Sequence, residues 1–168
     1  MPRADDLVDR GIHWWRTQRP DIDSSGKAIV GRILRLQDLA LRRFNEALEA
    51  FGVRYQEYAV LATLRAKGPP FRMSPSELRA TLLYSSGGLS NLLKRLEQCG
   101  YVSRGADPTD GRAVPVTLTS RGREVADAAM PVHAEAEMAL ISMFDQEERQ
   151  QFESLLKRMM SVDGDGPG

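Results

Sequence analysis

The sequence predicts a mainly α-helical chain with one small β-hairpin, and three observations lead there. Apolar residues recur at helical spacing over most of the 168 residues. Only across residues 101–118 does the spacing shorten toward alternation. Capping signatures mark the helix starts at Ser74-Pro75-Ser76-Glu77 and at Asp145…Glu148. With 42 % apolar and 27 % charged residues the chain has material for a core, and its length suits one domain or one compact unit with appendages.

The first element is a short helix whose stripe of Leu7, Val8, Gly11, Ile12, Trp14 and Trp15 is stopped by Pro20. Both tryptophans lie on that stripe, so packing is their expected role. From Ala28 to Phe51 the series Val30, Leu34, Gln37, Leu41, Phe44, Leu48 and Phe51 steps alternately by four and three. A helix of this span, roughly 36 Å at 1.5 Å per residue, exceeds what a small domain needs and is expected to pack on a second subunit. Gly52 ends it, and Tyr55–Ala66 forms a third helix closed by Lys67-Gly68-Pro69-Pro70.

Ser74 then caps a short helix reaching Leu83, with Pro75 at its first position. Ser85-Ser86-Gly87-Gly88 opens the next, which runs to Cys99 and ends at Gly100. Its buried face is Leu89, Leu92, Leu93 and Leu96, which leaves Ser90, Asn91, Lys94 and Arg95 on the other side. Tyr101–Arg104 and Val114–Leu118 read as strands joined by the turn-rich loop Gly105–Arg112. Pro115 within the second run predicts an edge strand. Thr119 or Ser120 caps a long helix beginning near Arg123, with Val125, Ala129, Val132, Ala136 and Met143 on one face and a kink at Pro131. The last helix carries Phe152, Leu155, Leu156 and Met159, and residues 162–168 form a disordered tail.

Three helices followed by a hairpin make a winged helix-turn-helix, whose second helix-turn-helix helix enters the DNA major groove. Ser86, Ser90 and Asn91 would meet base edges there, with Lys94 and Arg95 one turn later. Ser74 and Arg104 complete the DNA-facing set, and backbone N–H groups at both helix starts suit phosphates. At the hairpin tip Arg112 can reach the minor groove, while Asp107 and Asp110 orient Arg112 or Arg95.

Charge sharpens this reading. The 23 basic and 23 acidic residues cancel, yet residues 1–67 carry +3, residues 68–123 carry +4 and residues 124–168 carry −7. A neutral total therefore hides a basic middle and an acidic C-terminal third. The single Cys99 excludes an internal disulfide, and with only His13 and His133 beside it no metal site or other cofactor is expected. Cys99 is expected in an inert core position, and the two histidines as unrelated surface or interface residues. Neither a nucleophile elbow nor a P-loop, a zincin motif or a dinucleotide fingerprint occurs, so no enzyme is expected. An acidic N-terminus without an apolar h-region, and no long apolar run, point to a cytoplasmic protein without a membrane partner.

Ser74-Pro-Ser-Glu-Leu, Ser85-Ser-Gly-Gly-Leu-Ser-Asn, Arg95-Leu-Glu, Gly100-Tyr-Val, Asp107-Pro-Thr-Asp-Gly-Arg112 and Leu118-Thr-Ser-Arg-Gly122 together resemble the MarR family of transcription regulators. That resemblance implies a homodimer with intertwined terminal helices and a DNA-binding lobe on each side. The expected organisation is an accessory helix in 1–20, a dimerisation helix in 21–53, the winged helix-turn-helix in 54–122, C-terminal dimerisation helices in 123–161 and the tail in 162–168. The expected function is a repressor that binds a pseudo-palindromic duplex and is released by a small molecule.

The tryptophan-bearing first helix resembles the urate-responsive branch, in which a helix tryptophan, an aspartate before the helix-turn-helix and a recognition-helix arginine line the ligand site. Trp14 and Trp15 are the ligand candidates by this resemblance. At the other two positions the sequence aligns Ala59 and Leu92, which removes the charges that hold an anionic purine. A different small aromatic or purine-like ligand could use the same cleft. The alternatives are a winged-helix dimer serving as a protein scaffold, and a regulator released by oxidation of Cys99.

Overall fold

The computed structural model describes residues 6–105 and 114–161. Helix α1 (Leu7–Gln18) begins where the Asp6 carboxylate accepts the backbone N–H groups of Val8 and Asp9. It lies along α2 (Lys27–Leu48), with Ile12 buried and Val8 over Gly31. A Cβ on Gly31 would sit 3.2 Å from a Val8 methyl, so the small residue sets how closely the helices approach. Arg32 of α2 ties the helices by reaching both Asp6 and Asp9.

Contrary to expectation, the indoles of Trp14 and Trp15 are largely exposed in the single chain, at 66 % and 45 %. The stripe is wider than the contact α2 offers, so only Ile12 is fully covered. A 3-10 turn (Glu49–Phe51) ends α2, and Gly52 follows in the left-handed region.

Helix α3 (Tyr55–Lys67) is the centre of the core, with Tyr58, Val60, Leu61 and Leu64 buried. Around it stand α4 (Pro75–Leu82), α5 (Ser86–Gln98) and α6 (Ser120–Leu140). The capping box of α4 forms as the sequence predicts: Ser74 N–H donates to Glu77 Oε2 at 2.7 Å and Glu77 N–H to Ser74 Oγ at 3.2 Å. Leu83, in the left-handed region at φ 54°, turns the chain from α4 toward α5.

Among the described residues the sheet has three strands, not two. β1 (Arg72–Met73) pairs with β3 (Val116–Leu118), and β3 pairs with β2 (Val102–Arg104), both antiparallel. β3 is therefore central, which corrects the edge-strand expectation: Pro115 stands just outside the ladder, so its missing N–H removes no bond from it. β1 is too short to leave an alternating pattern in sequence.

Helix α6 starts at Thr119, whose Oγ1 accepts Gly122 N–H and donates to Gly100 O at 2.7 Å. It begins earlier than expected and continues as one helix through Pro131. Its buried face is Gly122, Ala126, Ala129 and His133, with Val125, Val132 and Ala136 at the margin. His133 is the larger correction, because it is only 8 % exposed and lies among the rings of Phe44, Tyr55 and Tyr58. A polar residue on a small-residue face gives no sequence sign of the aromatic cage that α2 and α3 build around it. His13 is exposed.

Helix α7 (Gln146–Met160) opens with the expected Asp145–Glu148 box, and none of its residues is buried among the described residues. No helix among the described residues is long and apolar enough to cross a membrane. The tail expected at 162–168 lies outside the described residues.

Candidate nucleic-acid interface

Helix α5 has two chemically distinct faces. Leu89, Leu93 and Leu96 are at most 3 % exposed and fix it on the core. Ser86, Gly87, Ser90, Asn91, Lys94 and Arg95 are exposed along the opposite side, as the spacing predicts. Ser85 caps the helix by accepting Gly88 N–H at 3.2 Å, so Ser86 stands in its first turn. Ser74 uses its hydroxyl to cap α4 and lies 2.9 Å from the Ser76 hydroxyl.

Two arginines marked as DNA-facing by their sequence positions are engaged by carboxylates. Arg95 Nε forms an ion pair with Glu57 Oε1 at 2.6 Å, and the Glu57 side chain is only 4 % exposed. The other Glu57 oxygen accepts Arg54 N–H at 2.8 Å, so one carboxylate caps α3 and anchors α5. Arg104 Nε donates to Glu97 Oε2 and its Nη2 pairs with the same oxygen, while Glu97 Oε1 accepts Arg104 N–H. Helix α5 is thus tied to α3 on one side and to β2 on the other. Glu57 is the residue sequence reasoning missed, and its only sequence signal is the acidic third residue of a helix start. An acid and a base do bridge α3 and α5, but at Glu57 and Arg95 and not at the aligned Ala59 and Leu92.

Beside α5 a cleft of about 240 Å³ is lined by Ser76 and Arg79 of α4, Ser86 and Ser90 of α5, and Arg104 of β2, over a floor including Leu89 and Leu93. Asp107, Asp110 and Arg112, expected at the wing tip, lie outside the described residues.

Trp15 borders a separate trough of about 520 Å³ between α1 and α2, with Ile22, Lys27, Val30 and Leu34. The Lys27 ammonium stands 5.1 Å from the Trp15 ring centroid. Ser24 also borders the trough, buried and with no partner for its hydroxyl among the described residues. Trp14 faces a shallower hollow with Gly11 and Gln18. Cys99 is the C-cap of α5 and half-buried, not in the core position expected of it, because the chain turns away at Gly100.

These features define a winged-helix protein of the transcription-regulator class. A sequence profile described as MarR family matches residues 51–113. The HTH-type transcriptional regulator PecS of Dickeya dadantii is 31 % identical over 148 residues, covering 88 % of this chain and 89 % of that protein. The HTH-type transcriptional repressor Rv2887 of Mycobacterium tuberculosis is 29 % identical over 132 residues, covering 79 % and 88 % respectively. In fold, the chain is similar to a mutant MarR from E. coli complexed with operator DNA, with a TM-score of 0.71 and 24 % identity over 92 % of this chain and 99 % of that one. The chain belongs to the MarR family of transcriptional regulators.

Proposed function

We propose that the protein is a repressor that binds a pseudo-palindromic DNA duplex as a homodimer and is released by a small aromatic or purine-like molecule. The observation that carries the DNA reading is α5: three leucines seat it on the core while Ser86, Ser90, Asn91 and Lys94 face outward together. Arg112 at the wing tip, with Asp107 and Asp110 to orient it, completes the proposed reading head. Arg95 and Arg104 serve it by holding α5 and β2 in place. The structural neighbour solved with operator DNA and the relative named a repressor favour the same reading.

Dimerisation is supported by the apolar residues left uncovered on α2 and α7, among them Ile29, Val30, Leu34, Leu155 and Met159. Residues 21–53 and 123–161 would then be the dimerisation helices, 54–122 the DNA-binding lobe and 1–20 an accessory helix. The trough at Trp15, with Lys27 at its edge, offers an aromatic wall and a cation for a planar acid. Trp14 is the second ligand candidate.

Selection of bound duplexes from a random pool tests the reading, repeated with phenolic and purine acids. Enrichment of an inverted repeat with half-sites about one helical turn apart, abolished by one of these acids with quenching of tryptophan emission, is the expected result. No enrichment sinks the DNA reading. Enrichment that no acid abolishes sinks the ligand reading.

A further inference from the structure

We propose that Arg79 of α4 is a contact to the phosphodiester backbone of duplex DNA, made through the cleft it forms with Ser76, Ser86, Ser90 and Arg104. The inference rests on the reading of α5 as a DNA-recognition helix and adds a residue that its sequence position did not single out.

Four features converge on this cleft. Among the described residues its rim carries two guanidinium groups and three hydroxyls and no carboxylate. Glu97 draws Arg104 toward α5 through two of its nitrogens, whereas Arg79 is exposed and makes no ion pair among the described residues. Ser76 and Ser86 stand in the first turns of α4 and α5, where the helix dipoles add partial positive charge. The floor of Leu89 and Leu93 gives an anion no competing acceptor.

Geometry separates Arg79 from base reading. It stands on α4, the first helix of the helix-turn-helix, which crosses the DNA backbone while the second enters the groove. Arg79 borders the Ser86 and Ser90 side of α5, so a phosphate strand flanking the groove passes within its reach when α5 is seated. A phosphate contact carries no sequence information itself; it fixes the register from which Ser90 and Asn91 read.

The test measures binding of wild type, Arg79→Ala and Arg79→Lys to a duplex enriched by selection and to an unselected random duplex across a salt series. Loss of one phosphate contact lowers the slope of log K against log salt by about 0.9 for each copy of the chain on the duplex. Arg79→Ala is expected to show that fall on both duplexes, with the ratio of selected to random affinity unchanged. Arg79→Lys, which keeps the charge, is expected to retain the wild-type slope. An unchanged slope in Arg79→Ala, a lost slope in Arg79→Lys, or a fall confined to the selected duplex each overturns the assignment. Wild-type protein that binds neither duplex in a salt-dependent way overturns the DNA reading and this inference together. A variant that matches wild type on a duplex the wild type does bind removes Arg79 alone.

Discussion

Arg95 of α5 forms an ion pair with the buried carboxylate of Glu57 on α3, Nε to Oε1 at 2.6 Å. This ion pair makes Arg95 an anchor for the orientation of α5, since Glu57 has little access to water and, among the described residues, Arg54 N–H as its other partner. Arg95→Ala would leave that carboxylate unpaired, at a cost of about 1–3 kcal/mol. The Arg95 side chain is 56 % exposed, so the loss should stay below that for a fully enclosed pair. Urea denaturation of Arg95→Ala, Glu57→Gln and the double variant forms a cycle that isolates the coupling. Additive losses would show that the pair contributes nothing beyond its separate groups.

Gly122 should tolerate no side chain. A Cβ there would lie 2.0 Å from Tyr101 O and 2.8 Å from a Leu118 methyl, at the point where α6 leaves the sheet. The backbone carbonyl cannot move aside, because it also accepts Thr119 N–H at 3.0 Å. Gly122→Ala is therefore expected to destabilise by at least the upper end of about 1–3 kcal/mol. A melting temperature within a degree or two of wild type would contradict the packing described.

The capping box of α4 makes a prediction about acid. Glu77 accepts Ser74 N–H, and that bond, with a further one from the Ser74 side chain, holds its carboxyl below the usual carboxylate range. A lowered folded-state pKa means that the stabilisation is present above the unfolded value near 4.5 and fades as pH falls through the folded one. The stability gap between wild type and Glu77→Gln should thus be widest near neutrality and narrow steadily as pH falls below the unfolded value toward the lowered folded one. Ser74→Ala, which removes the reciprocal cap, should cost about 1 kcal/mol at neutral pH. Thermal melts over this pH range check both; a gap that persists unchanged at pH 3 would refute the first.

Which features were legible in the sequence follows from how local their causes are. The caps at Ser74, Ser85 and Asp145 and the leucine face of α5 depend on neighbours within a turn or two, and all form as read. Pairings between distant segments left no such trace. β1 consists of two residues whose strand character comes only from Val116 and Thr117, far along the chain. His133 is buried because α2 and α3 deliver Phe44, Tyr55 and Tyr58 around it. The ion pairs of Arg95 with Glu57 and of Arg104 with Glu97 are likewise products of the fold, which brings the acidic partners beside them. The tryptophans err in the opposite sense: an apolar stripe reads as packing, but one chain supplies no surface to cover it.

That uncovered surface gives the last prediction. Ile29, Val30 and Leu34 on α2 are each more than half exposed, and Leu155 on α7 likewise, although both helices carry regular apolar stripes. Burial of one such leucine stabilises by about 1.5–3 kcal/mol, and a two-fold interface counts each position twice. Leu34→Glu would remove that gain and place a carboxylate from each copy in the contact, where desolvation opposes the charge. Wild type is expected to sediment at twice the chain mass of 18.7 kDa and Leu34→Glu at the single mass, at micromolar concentration. Val30 and Leu34 border the trough at Trp15, so tryptophan emission should shift to the red in the variant as that trough opens to water. A wild-type protein at the single-chain mass, or a Leu34→Glu protein that stays at the doubled one, would exclude this face from the dimer contact.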